Sequence, residues 1–194
     1  MKKQLCSLLT ALALAVGLLP SAARAAENAP SFADVPAAAW YADAVQYVYE
    51  NGLMTGVSES EFAPDGTATR GQIVTILWRL AGSPVVNYAM RYADVDEGAW
   101  YGEAIRWAAS TGVVTGYTES SFGPNDAITR EQLAAILYRY IKTQGQGFTG
   151  MWYFPLRYDD AASISDWADE AMHWCVMKGL LNGTSETTLS PQLT

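Results

Sequence analysis

Cysteine and histidine are nearly absent from this chain, whose 194 residues include two cysteines and one histidine. Cys6 lies in the N-terminal apolar region, so removal of that region leaves Cys175 alone and excludes an intramolecular disulfide. A metal site built on His173 and Cys175 needs further ligands that the neighbouring sequence does not offer. The same pair lacks the acid and the oxyanion-binding sequence of a Cys–His hydrolase. We therefore expect both to be packing residues, and we expect no metal and no cofactor.

Positive charge is also scarce, with 12 Lys and Arg residues against 20 Asp and Glu residues and a net charge of −8. Loss of Lys2, Lys3 and Arg24 with the N-terminal segment leaves 9 basic residues against the 20 acidic ones. A surface of this kind is a poor general binder of polyanions. We expect neither nucleic acid nor anionic membrane as a partner.

Long apolar runs are limited to one segment, from Leu5 to Leu19. It is shorter than the ~20 residues that a spanning helix needs. Lys2 and Lys3 precede it, and Ala23-Arg24-Ala25 follows it with small residues at an A-x-A spacing. This pattern predicts a secretory signal peptide over residues 1–25, hence a secreted protein without a membrane span after signal removal.

Acidic residues occur in pairs, without the arrangement of a catalytic or calcium site. Asp159-Asp160 and the pair Glu59 and Glu61 lie in segments that read as solvated loops, and nothing sets them across a sugar cleft. Residues 94–98 lack the further ligands and the closing glutamate of a calcium loop. We predict that the chain is not an enzyme.

An internal repeat organises the chain. The stretch "FADVPAAAWYADAVQYVYENGLMTG" at Phe32 aligns without a gap with "YADVDEGAWYGEAIRWAASTGVVTG" at Tyr92, at a constant offset of 60. A third copy begins at Tyr158, at an offset of 66 that becomes 67 near Trp167, and it stops at Thr194. We define repeat 1 as residues 32–82, repeat 2 as residues 92–142 and repeat 3 as residues 158–194.

Each full repeat predicts a helix, a loop and a second helix, because apolar residues recur at helical spacing on both sides of a turn-forming segment. Such units bury their apolar faces by packing together. The fold class is therefore mainly α, with tandem helix-loop-helix repeats. Repeat 3 stops before its second helix, so we expect exposed apolar surface around Trp174 and Leu180. A truncated reading frame, a fragment, or completion by another chain would each account for the missing helix.

Both second helices open with Thr-Arg. The segments Thr69–Gln72 and Thr129–Gln132 fit the capping box, which places Arg70 and Arg130 at the first helical position. A cation there opposes the positive end of the helix dipole. One explanation is an anion site, made by the arginine fork together with free backbone N–H groups. The other is structural, in which Arg70 pairs with Asp34 or with an acid on the next repeat.

The combined motif resembles that of S-layer homology domains: aromatic-x-Asp-Val, Trp-Tyr, Gly, Phe-x-Pro and Thr-Arg, in this order in both full repeats. The resemblance covers residues 32–194. It implies a pseudo-threefold helical bundle, here with the last helix missing. It also implies binding to a secondary cell-wall polysaccharide that is linked to peptidoglycan and often carries pyruvylated sugars. The expected location is the cell wall or S-layer surface of a bacterium.

The resemblance also implies which residues bind the polymer. Carried over to this sequence, they are Arg70, Arg130, Thr69, Thr129, Asp34, Asp94, Trp40, Trp100, Tyr41 and Tyr101. The Thr-Arg-Ala-Glu of the family is Thr-Arg-Gly-Gln in repeat 1 and Thr-Arg-Glu-Gln in repeat 2, and repeat 3 has none, so we expect at most two full sites. Two alternatives stay open: a protein–protein scaffold within a surface or S-layer complex, with structural arginines, or the anchor part of a larger surface enzyme.

Overall fold

The computed structural model describes residues 32–194, so the predicted signal peptide lies outside the described residues. Within that part of the chain the fold is helical, and the prediction of a mainly α protein is confirmed. The helices are α1 (Ala42–Glu50), α2 (Arg70–Leu80), α3 (Gly102–Ser110), α4 (Arg130–Thr143) and α5 (Asp169–Met177). Two short 3-10 helices, Ala161–Ser163 and Asp166–Ala168, precede α5 near the extra residue of repeat 3.

The second helix of each full repeat packs against the first helix of the following repeat. Helix α2 packs on α3, α4 packs on α5, and α2 touches α4. Helix α1 packs against no other helix within residues 32–194. Within residues 32–194, the closest helix–helix contacts are therefore formed between consecutive repeats, rather than between the two helices of one repeat.

Two apolar clusters follow from this pairing. One lies between α2 and α3 and includes Val74, Ile105 and Phe122; the other lies between α4 and α5 and includes Met172 and Leu189. Partly buried side chains of α4 pack against both clusters. The core is thus continuous through repeat 2, which fits the stacking expected of tandem repeats.

The expected exposure around Trp174 is wrong for that residue, although Leu180 is exposed as expected. Trp174 is 5% exposed, and its ring centroid lies 5.5 Å from that of Tyr138 on α4. The reason is that the first helix of a repeat is covered by the second helix of the preceding repeat. Helix α5, the first helix of repeat 3, is therefore covered by α4 of repeat 2. Among residues 32–194, α1 is the first helix of a repeat that no second helix covers: Tyr47 is 48% exposed, whereas its repeat 2 equivalent, Trp107, is 6% exposed.

The predicted caps are present. Thr69 accepts a hydrogen bond from the Gln72 amide and Thr129 from the Gln132 amide, and both glutamine side chains return to the threonine N–H groups. At the end of α3, Gly112 takes a φ of +73°, in the left-handed region that favours glycine. Local sequence signals therefore set where these helices begin and end.

Candidate functional site: the junctions between repeats

The backbone donors at the start of α2 are taken up by repeat 2. The Arg70 N–H donates to the Asp126 carbonyl at 3.0 Å, and the Gly71 N–H donates to the Pro124 carbonyl at 2.9 Å. The expectation of free backbone N–H groups at this helix start is therefore wrong. The positive end of the helix dipole meets carbonyl oxygens of the next repeat, which supply the partial negative charge that it favours.

The Arg70 side chain strengthens the same contact. Its Nε donates to the Phe122 carbonyl at 3.0 Å, and its Nη2 donates to the Thr115 carbonyl at 3.2 Å. The guanidinium carbon lies 4.5 Å from the ring centroid of Tyr117 and 4.6 Å from that of Phe122. We call this contact between the start of α2 and residues 115–126 the first junction. It joins repeat 1 to repeat 2 through carbonyls and aromatic rings, rather than through a carboxylate.

A second junction repeats the pattern between the start of α4 and residues 182–193 of repeat 3. The Arg130 N–H donates to the Leu193 carbonyl and the Glu131 N–H to the Pro191 carbonyl, each at 2.9 Å. The Arg130 Nε donates to the Leu189 carbonyl at 2.9 Å, and its Nη2 donates to the Asn182 carbonyl. All four acceptors are the repeat 3 equivalents of the acceptors in the first junction, so the two joints are structurally equivalent.

The two junctions differ in how tightly they enclose the arginine. Arg70 is 5% exposed, and burial lowers the pKa of its guanidinium. Arg130 is half-buried, because Thr184 and Leu189 stand where the first junction has Tyr117 and Phe122. Arg70 Nη1 makes no hydrogen bond within residues 32–194, yet it is not among the side-chain atoms closed off from solvent there. The Nη1 nitrogen of Arg70 is therefore not fully shielded from solvent, although the side chain as a whole is buried.

The aspartate that opens each repeat holds the loop that receives the arginine. Asp94 accepts hydrogen bonds from the Phe122 N–H at 2.8 Å and the Gly123 N–H at 2.8 Å. Asp34 holds Phe62 and Ala63 in the same way in repeat 1. Its carboxylate is thus committed to its own loop, so the structural alternative in which Arg70 pairs with Asp34 does not occur in this structure.

Asp160 plays this part in repeat 3, where it accepts from the N–H groups of Leu189 and Ser190 at 2.8 and 2.7 Å. These amide hydrogen bonds lower the pKa of Asp160. The Phe62 amide is the main cause of the lowered pKa of Asp34. Burial of Asp94 raises its pKa, but hydrogen bonds from Gly123, Phe122 and Ser121 outweigh burial and leave the pKa below 3.8.

Acid should loosen these loops. Because the folded pKa values lie below the ordinary 3.8, the stabilisation is complete above that value and is lost as the pH falls through the lower folded values. We expect the urea midpoint to fall steeply below about pH 4 and Asp94→Asn to flatten that dependence. Asp96→Asn, at a neighbouring exposed carboxylate, is the control. An unchanged pH dependence in Asp94→Asn would contradict this account of the loop.

The predicted aromatic residues separate into exposed tryptophans and covered tyrosines. Trp100 is 57% exposed and stacks edge-on against the buried Tyr101, with ring centroids 5.1 Å apart. Tyr101 in turn lies 3.5 Å from where a Cβ on Gly71 would stand, so this aromatic pair borders the first junction. Trp40 is 93% exposed beside the half-buried Tyr41, but no second helix of the described residues reaches that pair.

Comparison with known proteins identifies the repeats. The S-layer homology domain model matches residues 31–74, 91–134 and 157–194, which together make up more than half of the chain. The chain belongs to the S-layer homology (SLH) domain family. Among its relatives is an S-layer protein of Bacillus thuringiensis subsp. finitimus, 28% identical over 195 residues, which cover 100% of this chain and 22% of that protein.

Two further relatives show the range of proteins that carry SLH repeats. The S-layer protein sap of Bacillus anthracis is 27% identical over 95% of this chain and 22% of its own length. An endoglucanase of Bacillus sp. (strain KSM-635) is 30% identical over 98% of this chain and 20% of its own length. The chain thus spans about a fifth of these relatives, and only the SLH region of the enzyme is matched. Together these matches indicate a protein of the bacterial cell surface.

The SLH junctions sort the predicted site residues into three groups. At the first junction, Thr69 caps the helix that begins with Arg70, and Arg70 donates to the Phe122 carbonyl of the loop that Asp94 holds. Tyr101, with Trp100 packed on it, lies against Gly71 of the same helix start. Thr129 and Arg130 stand at the second junction. Asp34, Trp40 and Tyr41 all belong to repeat 1, where Asp34 holds its own loop and Trp40 packs on Tyr41, and no arginine of residues 32–194 forms an ion pair with Asp34.

Sequence reasoning missed the residues that repeat 3 contributes to the second junction. Asp160 holds the receiving loop, and Trp167, 55% exposed, stands at the position of repeat 3 that is equivalent to Trp100. The repeat offset alone could have identified both residues, because it aligns Asp160 with Asp94 and Trp167 with Trp100. Within residues 32–194, no group of three or more His, Cys, Asp or Glu side chains could hold a metal ion. No helix in that part of the chain has both the length and the apolarity that crossing a bilayer requires.

Proposed function

We propose that this chain is a non-catalytic anchoring module that binds an anionic secondary cell-wall polysaccharide linked to peptidoglycan. The observation that carries the proposal is the first junction, where Arg70 Nη1 is unpaired within residues 32–194 and not fully shielded from solvent. The exposed Trp100 packs on Tyr101, which lies against the start of α2 in the same junction. A carboxylate or phosphate on the polymer would meet N–H donors there. The indole of Trp100 offers a flat apolar face to the neighbouring sugar ring.

An acidic protein can bind an anionic polymer in this way because the attraction is confined to the junctions. Arg70 and Arg130 are held in place by main-chain carbonyls, which carry no net charge and leave the arginine charge unneutralised. Each arginine is preorganised by its own repeat contact, so binding does not have to order a flexible side chain. We propose that the negative group is the pyruvate ketal of a pyruvylated sugar.

Co-sedimentation with purified bacterial walls tests this function. The secreted chain should sediment with peptidoglycan that carries its secondary polymer and stay in the supernatant with peptidoglycan stripped of it. Mild acid that removes pyruvate from the polymer should weaken the binding. Equal sedimentation with intact and stripped peptidoglycan would contradict the proposal.

Two tryptophans in equivalent positions give a matched pair of variants. Trp100→Ala should weaken polymer binding about tenfold, because Trp100 borders a junction that contains an arginine. Trp40→Ala should leave binding unchanged, because Trp40 lies just before α1, which packs against no other helix within residues 32–194 and forms no junction. Both side chains are exposed, so neither change should unfold the protein. Equal losses in the two variants, measured by titration with soluble polymer, would show that the junction is not the site.

A scaffold within an S-layer complex is a second candidate, favoured by the uncovered face of α1. Tyr47 is 48% exposed there, and S-layer proteins are among the relatives. The endoglucanase relative supports a further arrangement, in which the chain is the anchor of a larger surface enzyme. A scaffold without polymer binding predicts that Tyr47→Asp abolishes association with surface-layer extracts, whereas Trp100→Ala has no effect on wall binding.

A further inference from the structure

A second arginine, from helix α4, contacts the first junction at Thr115. Arg139, on α4, places its Nη1 3.4 Å from the Thr115 Oγ1. The carbonyl of the same threonine accepts the hydrogen bond from Arg70 Nη2 at 3.2 Å. Two guanidinium groups, one from repeat 1 and one from repeat 2, therefore meet at one residue.

Neither guanidinium has an acidic partner. The ion pairs within residues 32–194 involve Arg106 and His173, and no carboxylate forms an ion pair with Arg70 or Arg139 there. Acidic partners are not scarce, since the chain has 20 acidic and 12 basic residues. Two neighbouring like charges that lack a counter-ion repel each other, and an anion between them would remove that repulsion.

The electrostatic surroundings agree with the geometry. Burial is the main cause of the lowered pKa of Arg70, and the charge of Arg139 adds to it. Tyr117, Asp126 and Tyr92 act in the opposite direction, but not enough to offset these two causes. Burial also lowers the pKa of Arg139. Both guanidiniums are thus cations in an environment that does not fully compensate their charge.

Open donors remain on both groups. The Nη1 of Arg70 and the Nε and Nη2 of Arg139 make no hydrogen bond within residues 32–194. The only side-chain polar atom of that part of the chain that is both unpaired and closed off from solvent is Glu103 Oε2. These three nitrogens are therefore unpaired within residues 32–194 without being fully shielded from solvent.

The arrangement occurs once among the described residues. Arg79, the repeat 1 equivalent of Arg139, turns its Nη1 to the Leu53 carbonyl at 3.0 Å. The neighbouring Thr55 receives no arginine from residues 32–194. At the second junction Arg130 donates to Asn182, but no second guanidinium of the described chain donates to that residue. Of the three equivalent positions in the described residues, Thr55, Thr115 and Asn182, only Thr115 in the first junction contacts two arginines.

We propose that Arg139 is a second anion-binding residue, so that an oxyanion on the wall polymer lies between Arg139 and Arg70 above Thr115. This proposal rests on the polymer-binding function proposed above and names its principal site. The first junction then carries the complete, tighter site, and the second junction carries a site with one arginine. The oxyanion proposed above is the carboxylate of the pyruvate ketal; a phosphodiester also matches the guanidinium fork, and the probes below distinguish the two.

Isothermal titration of the secreted chain tests the proposal. The probes are a methyl hexoside carrying a 4,6-O-(1-carboxyethylidene) group, the same hexoside without it, and a hexoside phosphodiester. Arg139→Gln should weaken binding of at least one anionic probe 10-fold or more, equivalent to about 1.4 kcal/mol per factor of ten. Whichever anionic probe shows the loss identifies the source of the oxyanion. Arg139→Lys should lose less, because it keeps the charge and loses the fork.

Arg79→Gln is the matched control, since it removes the equivalent arginine from repeat 1, and it should bind the probes within twofold of the unmodified chain. If the unmodified chain binds intact wall polymer and Arg139→Gln binds every probe equally well, this proposal is overturned while the polymer-binding function stands. If the unmodified chain binds neither the polymer nor any probe, both are overturned. Urea unfolding of Arg139→Gln should show no loss of stability, because Arg139 makes a single long hydrogen bond and its removal relieves the repulsion with Arg70.

Discussion

Arg70→Met should lower the free energy of unfolding by about 3 kcal/mol, one of the two largest effects that we expect. The change removes two charge-assisted hydrogen bonds and leaves the carbonyls of Phe122 and Thr115 without their donor. It also removes a cation from between two aromatic rings. Methionine keeps most of the aliphatic volume, so the loss reports the guanidinium contacts rather than a cavity. Urea unfolding followed by circular dichroism measures it.

Two other arginines calibrate that result. Arg130→Met should cost about half as much, because Arg130 is half-buried and lacks the aromatic rings. Arg91→Met, at an exposed arginine whose side chain contacts Tyr92, should change the stability by less than about 0.5 kcal/mol. An Arg70→Met loss no larger than that of Arg91→Met would show that the first junction does not hold the repeats together.

Trp107→Ala should lower the free energy of unfolding by about 4 kcal/mol, because it opens a cavity in the core between α2 and α3. Trp107 is 6% exposed and lies edge-on to Tyr140 with ring centroids 6.2 Å apart. Tyr47→Ala, at the equivalent position of repeat 1, should cost less than about 1 kcal/mol, because Tyr47 is 48% exposed. Thermal and urea unfolding of the two variants give the comparison.

Equal losses in Trp107→Ala and Tyr47→Ala would contradict the packing described for α1. Equal losses would mean that a partner covers the face of α1 in solution, in the same way that α2 covers α3. The pair of variants therefore tests whether α1 lacks the covering helix that α3 receives from α2.

Much of the local structure could be predicted from the sequence. The Thr-x-x-Gln pattern at Thr69 and Thr129 fixed two helix starts, because the cap is made by side chains within one turn. The glycine after each first helix marked its end for a similarly local reason. Because the offset between the two full repeats is constant, a helix boundary predicted in repeat 1 also predicts the equivalent boundary in repeat 2.

The partners of the arginines could not be predicted in the same way. Arg70 donates to carbonyls, which every residue possesses, so neither Thr115 nor Phe122 carries a distinguishing side-chain signal. Which repeat supplies the carbonyls depends on how the repeats pack, and periodicity within a repeat does not encode that. For the same reason Trp40 and Trp100 look equivalent in sequence, although α3, which follows Trp100, packs against α2, whereas α1, which follows Trp40, packs against no other helix of the described residues.

The junction also explains the unusual helix start. An arginine at the first helical position is unfavourable against free N–H groups, but here those groups bind carbonyls of the next repeat. The arginine adds two more donors to the same surface. Its cost to the isolated helix is thus offset by the contact between repeats, with or without a bound anion.

Junction arginines that are fixed by main-chain carbonyls should keep an open edge for an anion on the wall polymer, and this is the central claim. Nitrogen-15 NMR of the arginine side chains, before and after addition of soluble polymer, tests it most directly. In the free protein the Nε–H of Arg70 should exchange with water far more slowly than that of Arg91. Polymer should then shift the Arg70 and Arg139 guanidinium signals and leave Arg79 unchanged. Polymer binding that leaves the signals of Arg70, Arg130 and Arg139 all unmoved would contradict the claim.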